Sequence, residues 1–202
     1  MEKSAQPQED SIREKIVLAA IDVIEREGFQ GTTVRAIAKE AGLNSAAINY
    51  YFGTKENLVN LALKRTLDEG FVNNLREIIK RSDIPPREML MMFLESIMTG
   101  CLRWPRLVRT HLYKPFIDGD YSTEMVERFH GLQNDLISLI AGHYPDRVPA
   151  QLKTALVQIL SSIMFTGLMP GLFAPSLDAD FTENEDSQKR YVRSLMDRLL
   201  PA

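Results

Sequence analysis

Residues 33–58 read TVRAIAKEAGLNSAAINYYFGTKENL. Thr33 has the side chain of a helix cap, and the stretch Val34–Ala41 places Ile37 and Ala38 on one inward face. Gly42 permits a tight turn. Asn44 or Ser45 can cap a second short helix that runs to about Tyr51. Gly53 ends it, and Thr54 can cap a longer helix beginning at Lys55. Two short helices joined by Ala41-Gly42-Leu43 make a helix-turn-helix, whose second helix can lie in the major groove of DNA.

The side chains of that second helix suit the role. Asn44, Ser45 and Asn49 offer donors and acceptors for base edges or phosphates. Ala46 and Ala47 are small enough for a close approach and can touch a thymine methyl. The hydroxyls of Tyr50 and Tyr51 can bond phosphate oxygens, and Lys55 adds a cation beside free helix N–H groups. Short helices with small residues and tyrosines also occur in ordinary α-domains. These residues alone therefore leave a DNA reader and a plain packing unit both open.

Outward from this segment the chain reads as helix almost throughout. Ser11-x-x-Glu14 matches a capping box, after which Ile12, Ile16, Ala19, Ala20 and Val23 share one face up to Gly28. Residues 1–10, MEKSAQPQED, lack an apolar run and read as a disordered arm rather than a signal peptide. Leu63, Leu67, Phe71, Leu75 and Ile78 extend the fourth helix as a stripe until Asp83-Ile84-Pro85-Pro86 breaks it. Further helices are expected over 87–104, 106–113, 123–143, 149–169 and 185–199, with loops at 115–122 and 170–184. The expected fold is all-α with about nine helices: an arm at 1–10, a head at 11–56 and a helical body at 57–202.

Composition narrows the function classes. With 202 residues the chain can bury a core without staples, and its single cysteine, Cys101, excludes an internal disulfide framework and fits a cytoplasmic protein. Thr154–Leu177 carries no charge, but Gln158, Ser161, Ser162 and Thr166 interrupt it and Pro170 and Pro175 break it. It reads as a core or subunit-interface helix rather than a membrane span. The net charge is −3, which taken over the whole chain gives no hint of nucleic acid. The average conceals a division. Residues 11–66 hold eight basic and six acidic side chains, while residues 67–202 hold fifteen and eighteen.

Residues 11–60 resemble the DNA-binding domain of the tetracycline-repressor (TetR) family of bacterial regulators. The resemblance rests on Gly28-Phe29, Thr32-Thr33, Ile37-Ala38, Ala41-Gly42, Tyr50-Tyr51-Phe52, Lys55-Glu56 and Leu58 at matching spacing. It implies DNA contacts at Thr33, Asn44, Ser45, Ala46, Asn49, Tyr50, Tyr51 and Lys55, with Ile48 and Phe52 holding the helix to its domain. Many relatives have glycine where Ala46 stands and tyrosine where Asn49 stands, so no operator sequence carries over. The resemblance further implies a homodimer paired through the 154–169 and 185–199 helices and bound to a palindromic double-stranded operator. It implies a small, hydrophobic effector bound among the middle helices, and no cofactor. A repressor that leaves DNA when the effector binds is the expected function.

The effector site is less legible. Its candidates are Met98, Cys101, Leu102, Trp104, Arg109, His111, Phe116, Phe129, Met164, Phe165 and Met169. Met and aromatic residues at helical spacing equally serve core packing. Two other functions compete: a helical small-molecule carrier without DNA affinity, and a metalloenzyme using Glu127-x-x-His130. The second lacks the further carboxylates and repeat motif of a di-iron bundle. No Gly-rich phosphate loop, nucleophile elbow or HExxH motif is present, so no enzymatic activity is expected.

Overall fold

A computed structural model describes residues 6–81 and 83–201, and among these the chain is helical with no strand. The helices are α1 (Gln6–Gly31), α2 (Val34–Glu40), α3 (Ser45–Phe52), α4 (Lys55–Leu67), α5 (Asn74–Ile79), α6 (Pro86–Arg103), α7 (Pro105–Tyr113), α8 (Glu124–Ala141), α9 (Pro149–Leu168), α10 (Pro170–Phe173) and α11 (Glu185–Leu199). π-Helical turns occupy Asp68–Asn73 and Lys114–Asp118.

Four sequence expectations need correction. Helix α1 begins at Gln6, so residues 6–10 are helical rather than a disordered arm, and residues 1–5 lie outside the described residues. Ser11 therefore sits inside the helix and does not cap it. Pro7 falls in the first turn, where a missing N–H costs nothing, and acidic Glu9 suits the positive end of the helix. The stripe beyond Lys55 is divided by the π-helical turn around Gly70, which yields α4 and α5 in place of one helix. The loop expected at 115–122 is partly the π-helical turn Lys114–Asp118, closed by Gly119 at φ 66°. The loop expected at 170–184 opens with the short helix α10. Pro170 stands at its start, which is where a helix tolerates proline.

The first of two compact units comprises the chain up to Leu67 together with Arg106–Asp120. Its core is Ile16, Ala20, Val23, Ile24, Ile37, Ile48, Leu58 and Ala62, all essentially inaccessible to solvent. The predicted punctuation is present. Thr33 accepts from the N–H of Ala36 at 3.1 Å, Asn44 from that of Ala47 at 2.9 Å, and Thr54 from that of Asn57 at 3.2 Å. Gly28, Gly42 and Gly53 adopt φ of 73°, 64° and 73°, values that only glycine takes without strain. The unit extends past residue 56 because Leu58, Val59, Ala62 and Leu107 share its core. Glu25 fastens α7 by accepting from the Leu107 N–H at 2.8 Å.

The second unit comprises Asp68–Pro105 and Tyr121–Ala202. Helix α6 buries Met89, Leu90, Phe93, Leu94, Ile97, Met98 and Cys101, and α9 buries Leu152, Ala155, Leu156, Ile159, Leu160 and Ile163. The two approach closely at Gly167, where an added Cβ would meet the Cys101 Cβ at 2.6 Å. The C-terminal end of α11 is held by side chains. The Leu200 carbonyl accepts from Arg87 Nε and from Tyr144 Oη, each at 3.0 Å, and the Leu199 carbonyl from Arg147 at 2.8 Å. No single described helix is long and apolar enough to cross a membrane. Helix α9 and the turn after it meet at 100°.

Candidate nucleic-acid interface

Helix α3 separates into two faces. Ile48 and Phe52 point into the core of the first unit at 1% and 8% exposure. Ser45, Ala46, Asn49 and Tyr50 lie on the solvent side, with Tyr50 75% exposed. The 3.6-residue period puts 46 and 50 opposite 48 and 52, with 49 on the flank, while Ser45 is exposed as the first residue of the helix. Thr33 and Asn44 are exposed as well, although the side-chain oxygen of each also caps a helix. Lys55 is partly exposed at the start of α4, and Tyr51 is half-buried with its ring edge-on to Tyr50 at 5.0 Å.

The C-terminal end of α3 is anchored from two directions. Arg13 on α1 donates to the Tyr51 carbonyl at 2.8 Å and lays its guanidinium over the Phe52 ring, 4.8 Å from the centroid. Asn57 on α4 donates to the Phe52 carbonyl at 3.3 Å. These bonds satisfy carbonyls that the end of a helix leaves open. They also fix the rotation of the exposed face. Sequence reading missed both residues. Arg13 is 38 positions from Tyr51, and no local pattern marks such a pairing.

Charge pairing sharpens the electrostatics of this unit. Glu14 is paired with Arg65, Glu27 and Glu40 with Arg26, and Glu25 with a backbone N–H. Four of the six acidic side chains in residues 11–66 are thus engaged within the unit. Among the described residues, Lys15, Arg35, Lys39 and Lys55 take part in no salt bridge. Pairing leaves the balance of residues 11–66 at eight basic against six acidic side chains, but among the described residues it leaves these four cations without an acidic partner.

The candidate effector residues do not lie together in one unit. Arg109, His111 and Phe116 belong to the first, and the others to the second. Met98 and Cys101 are buried against Gly167, while Trp104 and Phe165 are 38% and 43% exposed and Phe116 is 77% exposed. Leu102, Phe129, Met164 and Met169 are half-buried. Phe165 stacks edge-on with Phe173 at 5.6 Å, and Phe129 packs toward Phe71 at 6.4 Å. His111 is buried with Nε2 2.9 Å from Thr66 Oγ1, and burial pulls its pKa down to about 4. Burial pushes the Cys101 thiol up to about 12, far from the depressed values of redox-sensing cysteines. Glu127 and His130 are exposed on α8. Among the described residues no three metal-ligating side chains converge.

Residues 16–62 match the family of bacterial regulatory proteins, tetR family. The regulator PksA of Bacillus subtilis is 34% identical over 88 residues, which are 44% of this chain and 42% of that protein. The regulator BetI of Stenotrophomonas maltophilia is 38% identical over 69 residues, 34% of this chain and 33% of that one. The chain thus aligns with less than half the length of either curated relative. Among solved structures, the fatty acid degradation regulator FadR of Bacillus halodurans superposes with a TM-score of 0.69 at 19% identity, covering 94% of both chains. FadR of Bacillus subtilis, solved with stearoyl-CoA, does so with a TM-score of 0.60 at 18% identity over 93% of this chain and 97% of that one. These two likenesses show a shared fold. The resemblance read from residues 11–60 therefore stands for the head, and the fold likeness spans nearly the whole chain.

Proposed function

Starting from a segment of the tetR family at residues 16–62, we propose that this chain is a ligand-responsive, DNA-binding transcriptional regulator of the cytoplasm. The observation that carries the reading is α3: Ser45, Ala46, Asn49 and Tyr50 stand exposed on a helix that Ile48 and Phe52 lock to a core. Asn49 and Asn44 read base edges. Thr33, Ser45, Tyr50, Tyr51 and Lys55 hold phosphates, and Ala46 lets the helix close on the groove floor.

The active species is a homodimer. Pairing covers the side of α9 that carries Val157 and Phe165, which are 52% and 43% exposed. Two heads on a two-fold axis bind a palindromic operator whose half-sites lie ~34–36 Å apart. Occupancy near a promoter blocks transcription. A hydrophobic effector bound by the 57–202 body favours the conformation that does not fit the operator, and the population leaves DNA. Long-chain acyl-CoA thioesters are the first class to test, because a fold neighbour was solved with one. No catalytic role is assigned to any residue.

The test is selection of duplexes from a random pool by the purified protein, followed by fluorescence anisotropy on the enriched sequence. The reading expects a palindromic enriched site, steep loss of affinity with salt, and release by an effector. Absence of any salt-dependent duplex binding overturns it in favour of a helical carrier protein.

A further inference from the structure

The turn between α2 and α3 has a neighbour from outside the helix-turn-helix. Lys15, exposed on α1, brings its Nζ to 3.8 Å from the point where a Cβ on Gly42 would sit. Gly42 holds φ 64°, and the ammonium group stands in van der Waals range of that position. The turn leads directly into Asn44 and Ser45, the exposed start of α3. The acidic residue next to Lys15, Glu14, is engaged by Arg65, and among the described residues Lys15 itself enters no salt bridge. Arg35 and Lys39, four positions apart on α2 and both exposed, lead along that helix toward the same turn.

We propose that Lys15 is a DNA phosphate contact, supplied by α1 and lying beside the recognition helix at its N-terminal end. The proposal rests on the DNA-binding reading above. A duplex whose bases meet Asn44, Ala46 and Asn49 must carry its sugar-phosphate backbone past the ends of α3. A cation at the turn stands at one such end. Lysine is a compact charge on a flexible stem, so it follows a phosphate without reading sequence. Arg13, two positions earlier on α1, is held by Tyr51 and Phe52. One helix thus supplies an internal anchor and an outward cation.

The experiment measures the dissociation constant of the full-length protein by fluorescence anisotropy at several salt concentrations. The probes are a duplex enriched from a random pool by the wild-type protein and a scrambled duplex of equal length. Each phosphate contact contributes roughly 0.9 to the slope of log affinity against log salt. Lys15→Gln should lower the slope by about 1.8 for a dimer, and should weaken both duplexes by the same factor. Lys15→Arg should restore the wild-type slope. A Lys15→Gln slope equal to wild type overturns the proposal, whether or not affinity falls, because a structural loss weakens binding without removing a counterion. If the wild-type protein shows no salt-dependent binding to either duplex, the DNA-binding reading itself fails, and this contact with it.

Discussion

The guanidinium of Arg13 donates to the carbonyl of Tyr51 at 2.8 Å and covers the ring of Phe52, joining the first turns of α1 to the last turn of α3. The bond sets the rotation of the helix that carries Asn49. Arg13→Ala should cost about 0.5–1.5 kcal/mol of stability, the usual net worth of one such hydrogen bond. It should weaken DNA binding by more than that loss of stability explains, because α3 is then free to rotate. Urea unfolding and anisotropy on the same samples separate the two effects. A variant of unchanged DNA affinity would show that Asn57 alone suffices to hold α3.

Asn49 and Lys55 should fail in different ways. Lys55→Ala removes a phosphate contact and should weaken every duplex alike. Asn49→Ala removes a base contact and should cost about 1–3 kcal/mol on the preferred site, with little change on scrambled DNA. Repeating the random-pool selection with each variant checks the division. Equal loss on all duplexes for both would reassign Asn49 to the backbone.

His111 should make the first unit sensitive to acid. Its pKa falls to about 4 because burial disfavours the imidazolium, whereas in the unfolded chain it returns to the ordinary value of 6.5. Between those values the unfolded state binds the extra proton, so stability rises with pH across this window. The contribution is fully present above pH 6.5 and is lost as pH falls toward 4. Its ceiling is of order 3 kcal/mol. His111→Gln, which can keep a bond to Thr66, should flatten this part of the stability profile between pH 4 and 7. Thermal unfolding midpoints of wild type and variant across that range test it, and parallel profiles would count against it.

Gly167 should tolerate no side chain. The Cβ of an alanine would lie 2.6 Å from the Cys101 Cβ and 3.4 Å from the Met98 Sδ, so α6 and α9 would have to part. Gly167→Ala should therefore destabilise by about 1–3 kcal/mol, despite the better helix propensity of alanine. Cys101→Gly removes the obstructing atom. The double variant should lose less than the sum of the two single variants in chemical denaturation. Strict additivity would show that the two positions do not meet.

Local rules carried much of this fold. Thr33, Asn44 and Thr54 cap the helices that the sequence assigned to them, because a cap needs only its own side chain and an N–H three residues on. Gly28, Gly42 and Gly53 mark turns for the same short-range reason. Ser11 failed as a cap because the helix had already started at Gln6, and a capping box has no force inside a helix. The π-helical turns at Asp68–Asn73 and Lys114–Asp118 were not legible, since they leave no period of their own in a short sequence.

The sequence by itself determined the helical class, the helix-turn-helix and the exposed face of α3. These depend on spacing within a few turns of one helix. Only the tertiary structure decided that α7 shares a core with α1–α4, that Arg13 anchors α3, and that Gly167 admits Cys101. It also decided which charges of the first unit are spent internally and which are left outward at Lys15, Arg35, Lys39 and Lys55. Such pairings join residues tens of positions apart. They exist only where packing has already brought the helices together, and that encounter leaves no signature in the order of the residues.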